Sequence, residues 1–327
     1  MHDLIPVLSA WADQKETFAL ATVIHTAGSS PRPVGSILAV NGEGKSVGSV
    51  SAGCVEGYVI ERCAEAIVTE VAEICSFGAS LSGEESVWDI GLSCHGKMEI
   101  LITPITTGDT AFSNWIEQIK RGEEAIYWQP LPGTEATPDV SKSLDHLSRG
   151  THFPLHNPSP DTLLVFGASH IAAPLIAYAK TAGMHTILVD PRNAFTSPER
   201  FPIKPDQLMQ AWPSARADAL PLTARTYAVI LSHDAKLDDD ALALLLPSQV
   251  AYIGALGSQS THAERCERLS GSGFSKKQIQ HIHGPIGLDI GAQTPAEIAA
   301  SILAQIISVK RGGPRWQKTI DDACASA

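Results

Sequence analysis

One stretch of the chain, residues 162–190, limits the fold to a small set. Thr162–Phe166 is a continuous apolar run of the kind found in buried parallel strands. A tight turn with the sequence Gly-Ala-Ser-His-Ile-Ala (167–172) follows, then a helical segment to about Thr181, then a second apolar run that ends in Asp190. This order is typical of the βαβ unit of dinucleotide-binding domains. The stretch therefore predicts a parallel sheet covered by helices.

Two further segments extend this sheet. Tyr227–Leu231 predicts a strand that runs into Ser232-His233-Asp234, and residues 250–253 predict a strand that runs into the turn at 254–258. We therefore predict the α/β fold class, with a C-terminal Rossmann-like, doubly wound parallel sheet over residues 161–327 that is preceded by an α+β N-terminal domain.

Two helix starts in this part of the chain carry recognisable caps. Thr261 and Glu264 have the spacing of a capping box, which predicts a helix from there to Ser270. Thr294 is followed by proline at the first helical position and by Glu297 at the third, which predicts the start of the last helix.

The loops after the predicted strands are candidate binding elements. Ligands of open α/β sheets bind at the carboxyl ends of the strands, so these loops should share one rim. His233, beside Asp234, is suited to be a general base or a metal ligand, or the two residues form a solvated loop pair. The candidate cofactor-binding residues of the rim are Gly167, Ser169, His170, Asp190, Gly254, Gly257 and Ser258.

A nicotinamide nucleotide is one ligand that such a rim could take. Asp190 lies 23 residues after Gly167, where an acid would meet a ribose hydroxyl. However, Ser169 and Ala172 replace the second and third glycines of the dinucleotide pattern, and His170 stands where phosphate would approach. An NAD(P)-dependent oxidoreductase is therefore an alternative function.

The N-terminal part of the chain contains two cysteines in glycine-rich loops. Cys54 follows Gly53, which is a further candidate cofactor-binding residue, and precedes an apolar pattern of helical spacing. Its loop therefore meets a helix start, where backbone N–H groups stabilise an anion. The alternative is a small buried cysteine that fills space. Cys94 lies in a second such loop and is followed by His95. We predict an N-terminal α+β domain over 1–105 that carries both loops, and a mixed connector and linker over 106–160.

Bulk properties exclude several classes of function. The 327 residues carry a net charge of −11, which argues against a general binder of nucleic acid or anionic membranes. No apolar run reaches the roughly 18 residues that span a bilayer, and residues 1–6 lack the pattern of a signal peptide, so we expect a cytoplasmic protein. Six cysteines without a Cys-x-x-Cys pair predict neither a disulfide framework nor an iron–sulfur cluster.

Four motifs together resemble the xanthine dehydrogenase accessory protein family (XdhC/CoxI). They are Gly-Ser-Ser-Pro-Arg-Pro-Val-Gly (28–35), Gly-Ser-Val-Ser-Ala-Gly-Cys-Val-Glu (48–56), Tyr-Ile-Gly-Ala-Leu-Gly-Ser (252–258) and His-Gly-Pro-Ile-Gly-Leu-Asp-Ile-Gly (283–291). The chain departs from the family pattern at Ala52, His95 and Ser169, where the family usually has glycine.

The resemblance implies an accessory protein that binds molybdenum cofactor (molybdopterin), assists its sulfuration and delivers it to a xanthine dehydrogenase-type molybdenum hydroxylase. Cys54 and Cys94 would then contact the molybdenum centre or its sulfur, and the 167–170 and 254–258 turns would hold the pterin phosphate or a nucleotide. Implied partners are the hydroxylase, a cysteine desulfurase and a second copy of the chain. A third possibility is a purely structural assembly factor that docks onto the hydroxylase.

Overall fold

The computed structural model describes residues 4–78 and 96–312. The chain divides after Ser159 into an N-terminal unit (residues 1–159) and a C-terminal unit (residues 160–327). The division falls within the proline-containing stretch 157–160, where proline stiffens the chain and prevents a helix. Within the described ranges, no helix is both long and apolar enough to cross a bilayer.

The C-terminal unit is a six-stranded sheet in which every neighbouring pair of strands is parallel, in the order β11-β10-β9-β12-β13-β14. Its strands are β9 (Thr162–Phe166), β10 (His185–Val189), β11 (Gln207–Met209), β12 (Thr226–Ile230), β13 (Tyr252–Ala255) and β14 (Ile282–His283). Its α-helices are α4 (Ala172–Thr181), α5 (Ala235–Leu245), α6 (Gln259–Gly271), α7 (Lys276–Ile279) and α8 (Pro295–Lys310).

Helices cover both faces of this sheet because successive side chains of a strand point to opposite sides. On β9, Leu163 and Val165 belong to the apolar cluster that contains α4 and α8, whereas Leu164 and Phe166 belong to the cluster that contains α5 and α6. The predicted doubly wound, Rossmann-like sheet is therefore confirmed.

One of the two predicted helix caps is correct and the other is wrong. Thr294 caps α8 with a full capping box that involves Glu297, as predicted. In contrast, α6 begins at Gln259, because the side chain of Ser258 accepts the Thr261 N–H at 3.2 Å and so caps the helix three residues earlier than Thr261 would.

The described residues of the N-terminal unit form two antiparallel sheets and three helices. The larger sheet has the order β3-β2-β1-β5-β4, with β1 (Phe18–Ala27), β2 (Ile37–Asn41), β3 (Ser46–Gly48), β4 (Glu73–Phe77) and β5 (Lys97–Ile105). The smaller sheet has the order β7-β6-β8, with β6 (Ala125–Pro130), β7 (Asp139–Ser141) and β8 (His152–Asn157). The helices are α1 (Ile5–Asp13), α2 (Glu56–Thr69) and α3 (Thr110–Lys120).

Residues 106–159 pack into the core of the N-terminal unit. Phe112 and Trp115 of α3 and Tyr127 of β6 share one apolar cluster with Leu20 of β1, and their rings lie 5.6–5.8 Å apart. The stretch that the sequence predicts as a mixed connector therefore contributes a helix and a three-stranded sheet to this unit. The second apolar cluster, on the other face of the larger sheet, contains α2.

Candidate functional site

Two described loops of the N-terminal unit leave the larger sheet at one end of its strands, which we call the loop edge. Strands β1, β3 and β4 end there, and β2 and β5 begin there, because neighbouring strands of this sheet run antiparallel. The loop edge therefore carries the 28–36 loop, the 49–55 loop that contains Cys54, and the described residues Gly78 and Gly96. Cys94 and His95 lie outside the described residues.

Contacts between described residues bring these loops close together. The Tyr58 ring, in the first turn of α2, lies 5.7 Å from the Phe77 ring in an edge-to-face contact, so α2 begins beside the end of β4. A Cβ on Gly78, which follows Phe77, would overlap the Gly96 carbonyl oxygen, and a Cβ on Gly96 would overlap that of Ser29. Gly78 therefore lies against Gly96, Gly96 lies against the 28–36 loop, and the start of α2 lies at the same edge.

Cys54 is exposed at the loop edge, two residues before the first residue of α2. The alternative interpretation, a buried cysteine that fills space, is therefore wrong for this residue. The loop turns sharply before the thiol: Ala52 has φ 57° and Gly53 has φ 115°. The resembled family usually has glycine at the position of Ala52. Glycine suits this position because it adopts a left-handed conformation without steric cost.

Two other cysteines of this unit do fill space. Cys63 and Cys75 are buried in the apolar cluster under α2. Burial raises the pKa of Cys63 to about 12 and that of Cys75 to about 11, so both stay protonated at neutral pH. Cys63 and Cys75 are therefore buried thiols of the same unit with which the exposed thiol of Cys54 can be compared.

The loop that carries Cys54 closes on the carboxylate of Glu56. Oε1 accepts hydrogen bonds from Ser49 Oγ and from the Ser51 N–H, both at 2.8 Å. Oε2 accepts the Gly53 N–H at 2.7 Å and a short bond from Ser51 Oγ. In the sequence Glu56 is only a polar position of the helix, and the acid two residues after a glycine-flanked cysteine is the signal that could have singled it out.

This set of bonds keeps Glu56 ionised. Burial opposes the charge, but the hydrogen bonds from Ser51, Ser49 and Gly53 outweigh it and lower the pKa of Glu56 to about 2. Since the folded pKa lies below that of an ordinary glutamate, this stabilisation is fully present above the ordinary pKa, declines as the pH falls below it, and is gone once the pH has fallen through about 2.

In the C-terminal unit the predicted rim is present, because all of its loops follow strands of one parallel sheet. Gly167 has φ 97°, and a Cβ there would lie 2.5 Å from the Ser232 nitrogen, so glycine allows the turn after β9 to approach the end of β12. Ser169 is half-buried and His170 is exposed in the same turn. The rim thus offers the predicted glycine turn.

Asp190 is fully buried, and the protein itself uses both of its carboxylate oxygens. Oδ2 accepts the Ala168 N–H and Arg192 Nη2, both at 2.7 Å, and Oδ1 accepts the N–H and Nε of Arg192, both at 2.9 Å. Although burial opposes ionisation, these bonds lower the pKa of Asp190. The carboxylate therefore braces the Gly167 turn, and a ribose hydroxyl would have to displace Arg192 to reach it.

The remaining predicted rim residues have different surroundings. Gly254 lies inside β13, where a Cβ would lie 2.5 Å from Ile286 Cδ1, so its place is in sheet packing. Gly257 lies in the turn before α6, and Ser258 caps that helix. His233 is exposed. Among residues 4–78 and 96–312, no three histidine, cysteine or acidic side chains come together to hold a metal ion.

A buried ionic network under the rim was not predicted from the sequence. Arg265 of α6 donates to Asp238 of α5 at 3.2 Å and to the Leu256 carbonyl oxygen at 2.8 Å, and Ser232 Oγ donates a short bond to Asp238. Burial raises the pKa of Asp238 despite these bonds. Beside it, burial and the charge of Arg265 lower the pKa of His262 to about 4, so this histidine is neutral. The network joins the loops after β12 and β13.

Comparison with known proteins places both units in one family. The profile of the XdhC and CoxI family matches residues 11–78, and the profile of the XdhC Rossmann domain matches residues 163–306. The chain belongs to this XdhC/CoxI family, as its motifs indicated.

Individual relatives match over nearly the whole chain. A Bacillus subtilis protein that is named as a probable subunit of xanthine dehydrogenase is 26% identical over 95% of this chain and 98% of its own length. The Escherichia coli protein named "Molybdenum cofactor insertion chaperone PaoD" is 26% identical over 89% of this chain and 83% of its own length. A crystal structure described as a xanthine dehydrogenase from Bacillus halodurans has the same fold, with a TM-score of 0.75 and 24% identity over 98% of this chain and 99% of that one.

Proposed function

We propose that this chain is an accessory protein that binds molybdenum cofactor, assists its sulfuration and delivers it to a xanthine dehydrogenase-type molybdenum hydroxylase. The observation that carries the proposal is the exposed thiol of Cys54, on a hydrogen-bonded loop at the edge where Gly78 and Gly96 come together. Membership of the XdhC/CoxI family and the PaoD relative support the same role.

The chemistry of the loop edge suits this cofactor. Thiolates are soft ligands, and soft ligands suit metal–sulfur centres. When bound, the cofactor would supply the molybdenum and its sulfido ligand, and this chain would supply the thiol of Cys54, with Cys94 as the second contact. A cysteine desulfurase is the proposed source of the sulfur. The rim of the C-terminal unit, with its Gly167 turn, is proposed to take a phosphate or nucleotide group.

The NAD(P)-dependent oxidoreductase is the weaker alternative. Its best signal in the sequence was the acid at the end of β10, and that acid is buried and paired with Arg192. Titration with NADH or NADPH tests it directly: micromolar binding that is unaffected by replacing Cys54 would favour the oxidoreductase over the accessory role.

We expect Cys54→Ser to weaken molybdopterin binding at least tenfold, because the hydroxyl keeps the shape of the loop but is a poor ligand for a soft metal centre. The measurement is molybdenum and pterin retained by the purified protein across a concentration series. Cys63→Ala, which removes a buried thiol of the same unit, is the matched control and should leave binding unchanged. Full binding by both Cys54→Ser and Cys94→Ser would contradict the proposed roles of the two thiols.

A further inference from the structure

The conformation of the loop before α2 depends on one side chain. Four donors converge on the Glu56 carboxylate, two from backbone N–H groups and two from serine hydroxyls, all of them within residues 49–53. We call this arrangement the Glu56 clasp. Because Glu56 is the first residue of α2, the clasp ties the loop to the end of a rigid 14-residue helix.

The two serines of the clasp also hold the rest of the loop, because their hydroxyl oxygens accept hydrogen bonds from its backbone. Ser49 Oγ accepts the Ala52 N–H at 2.9 Å, and Ser51 Oγ accepts the Val55 N–H at 2.9 Å. The residues on both sides of Cys54 are thereby held, Gly53 by Glu56 directly and Val55 through Ser51. The position of the thiol at the loop edge follows from these bonds.

The clasp also explains how the loop keeps a costly backbone conformation. A non-glycine residue in the left-handed region costs roughly 1 kcal/mol or more, and Ala52 lies there with φ 57°. Such a conformation persists only when surrounding bonds over-determine it. The Ala52 N–H donates to Ser49 and the Gly53 N–H donates to Glu56, so the peptides on both sides of the Ala52 Cα are held, which provides that restraint.

We propose that Glu56 is a positioning residue for Cys54: its carboxylate does not touch the ligand but fixes the loop from which the thiol meets the metal–sulfur group. This inference rests on the proposed function for the role of Cys54, but the clasp can be tested without any ligand. A carboxylate is required because the position must accept four hydrogen bonds, whereas the amide of glutamine can accept only through its oxygen.

The test compares Glu56→Gln with Glu61→Gln, which makes the same chemical change at an exposed position of the same helix. In Glu56→Gln, we expect amide hydrogen exchange of Gly53 and Val55 to rise at least tenfold, with unchanged exchange in the core of β1. We expect molybdopterin binding to weaken at least fivefold. Glu61→Gln should match the wild type in both measurements.

Ala52→Gly separates positioning from a general effect on the loop, since it removes the left-handed strain but leaves the clasp intact. It should keep the slow exchange at Gly53 and full molybdopterin binding. Slow exchange in Glu56→Gln would overturn the clasp, and fast loop exchange with undiminished binding would overturn the positioning role. If the wild-type chain binds no molybdopterin, the proposed function fails, while the exchange measurements still decide the clasp.

Discussion

Arg265→Met will lower the free energy of unfolding of the C-terminal unit by about 3–5 kcal/mol, because it leaves the charge of Asp238 buried without its partner. Both side chains are almost inaccessible, with 1% of Arg265 and 7% of Asp238 exposed. The measurement is denaturant unfolding of the full chain, with hydrogen exchange in β12 and β13 to assign the loss to this unit.

The same two helices supply the control for this prediction. Arg268 and Asp239 form a comparable pair, but 39% and 37% of these side chains are exposed. Exposed pairs contribute about 0–1 kcal/mol, so Arg268→Met should have a small effect. Replacing Arg265 and Asp238 together by apolar residues should recover much of the loss, since no charge then remains buried. Equal losses from the Arg265 and Arg268 replacements would contradict the assigned burial.

Gly167→Ala will destabilise the C-terminal unit by about 2–5 kcal/mol, because it combines backbone strain with overpacking. The residue has φ 97°, and the added Cβ would lie 2.5 Å from the nitrogen and 2.8 Å from the Cα of Ser232. Neither atom can move away cheaply, since both belong to the backbone at the end of β12. Exchange of the Ala168 N–H, which donates to Asp190, should rise with the loss of stability.

Gly271→Ala is the matched control for the turn. Gly271 is the last residue of α6, and a Cβ there would meet no heavy atom within 4 Å. Alanine is favoured over glycine in helices by up to about 1 kcal/mol, so this replacement should be neutral or slightly stabilising. A Gly167→Ala protein as stable as the Gly271→Ala protein would show that the turn after β9 is not this close to β12.

Local signals explain what the sequence could predict. The apolar run of β9, the Gly167 turn and the acid at the end of β10 lie within 30 residues, and they sufficed for the parallel sheet and its rim. The cap of α8 was also predictable, because its two partners, Thr294 and Glu297, are only three positions apart. At α6, Ser258 and Thr261 both offer a cap, and residue types alone did not decide between them.

Features that depend on distant partners were missed. Arg265 and Asp238 are 27 positions apart, and residue types do not show that they meet inside the protein. Strand β6 pairs with β8 across a proline-rich stretch without periodicity, so its sheet was not predicted. One local pairing was also missed: Asp190 follows β10, as the sequence predicted, but both of its carboxylate oxygens accept hydrogen bonds from Arg192, only two residues away.

The candidate thiol site depends both on local sequence signals and on contacts between residues that are distant in the sequence. Cys54 was singled out from its glycine loop, and the structure shows it exposed rather than buried. The Glu56 carboxylate holds the loop that carries Cys54, and it lies only two residues after the cysteine. The sequence alone did not distinguish it from an ordinary surface acid. That the 28–36 and 49–55 loops lie at the same edge follows from the antiparallel order of the five strands, which residue types alone did not show.

Contact between Cys54 and the molybdenum centre is the central claim of the proposed function, and X-ray absorption at the molybdenum edge tests it most directly. Wild-type chain and Cys54→Ser chain would be loaded with molybdenum cofactor under identical conditions, with Cys63→Ala as the thiol control. We predict that the wild-type and Cys63→Ala spectra contain one more molybdenum–sulfur contact than the Cys54→Ser spectrum. Identical sulfur scattering from all three loaded proteins would contradict the claim.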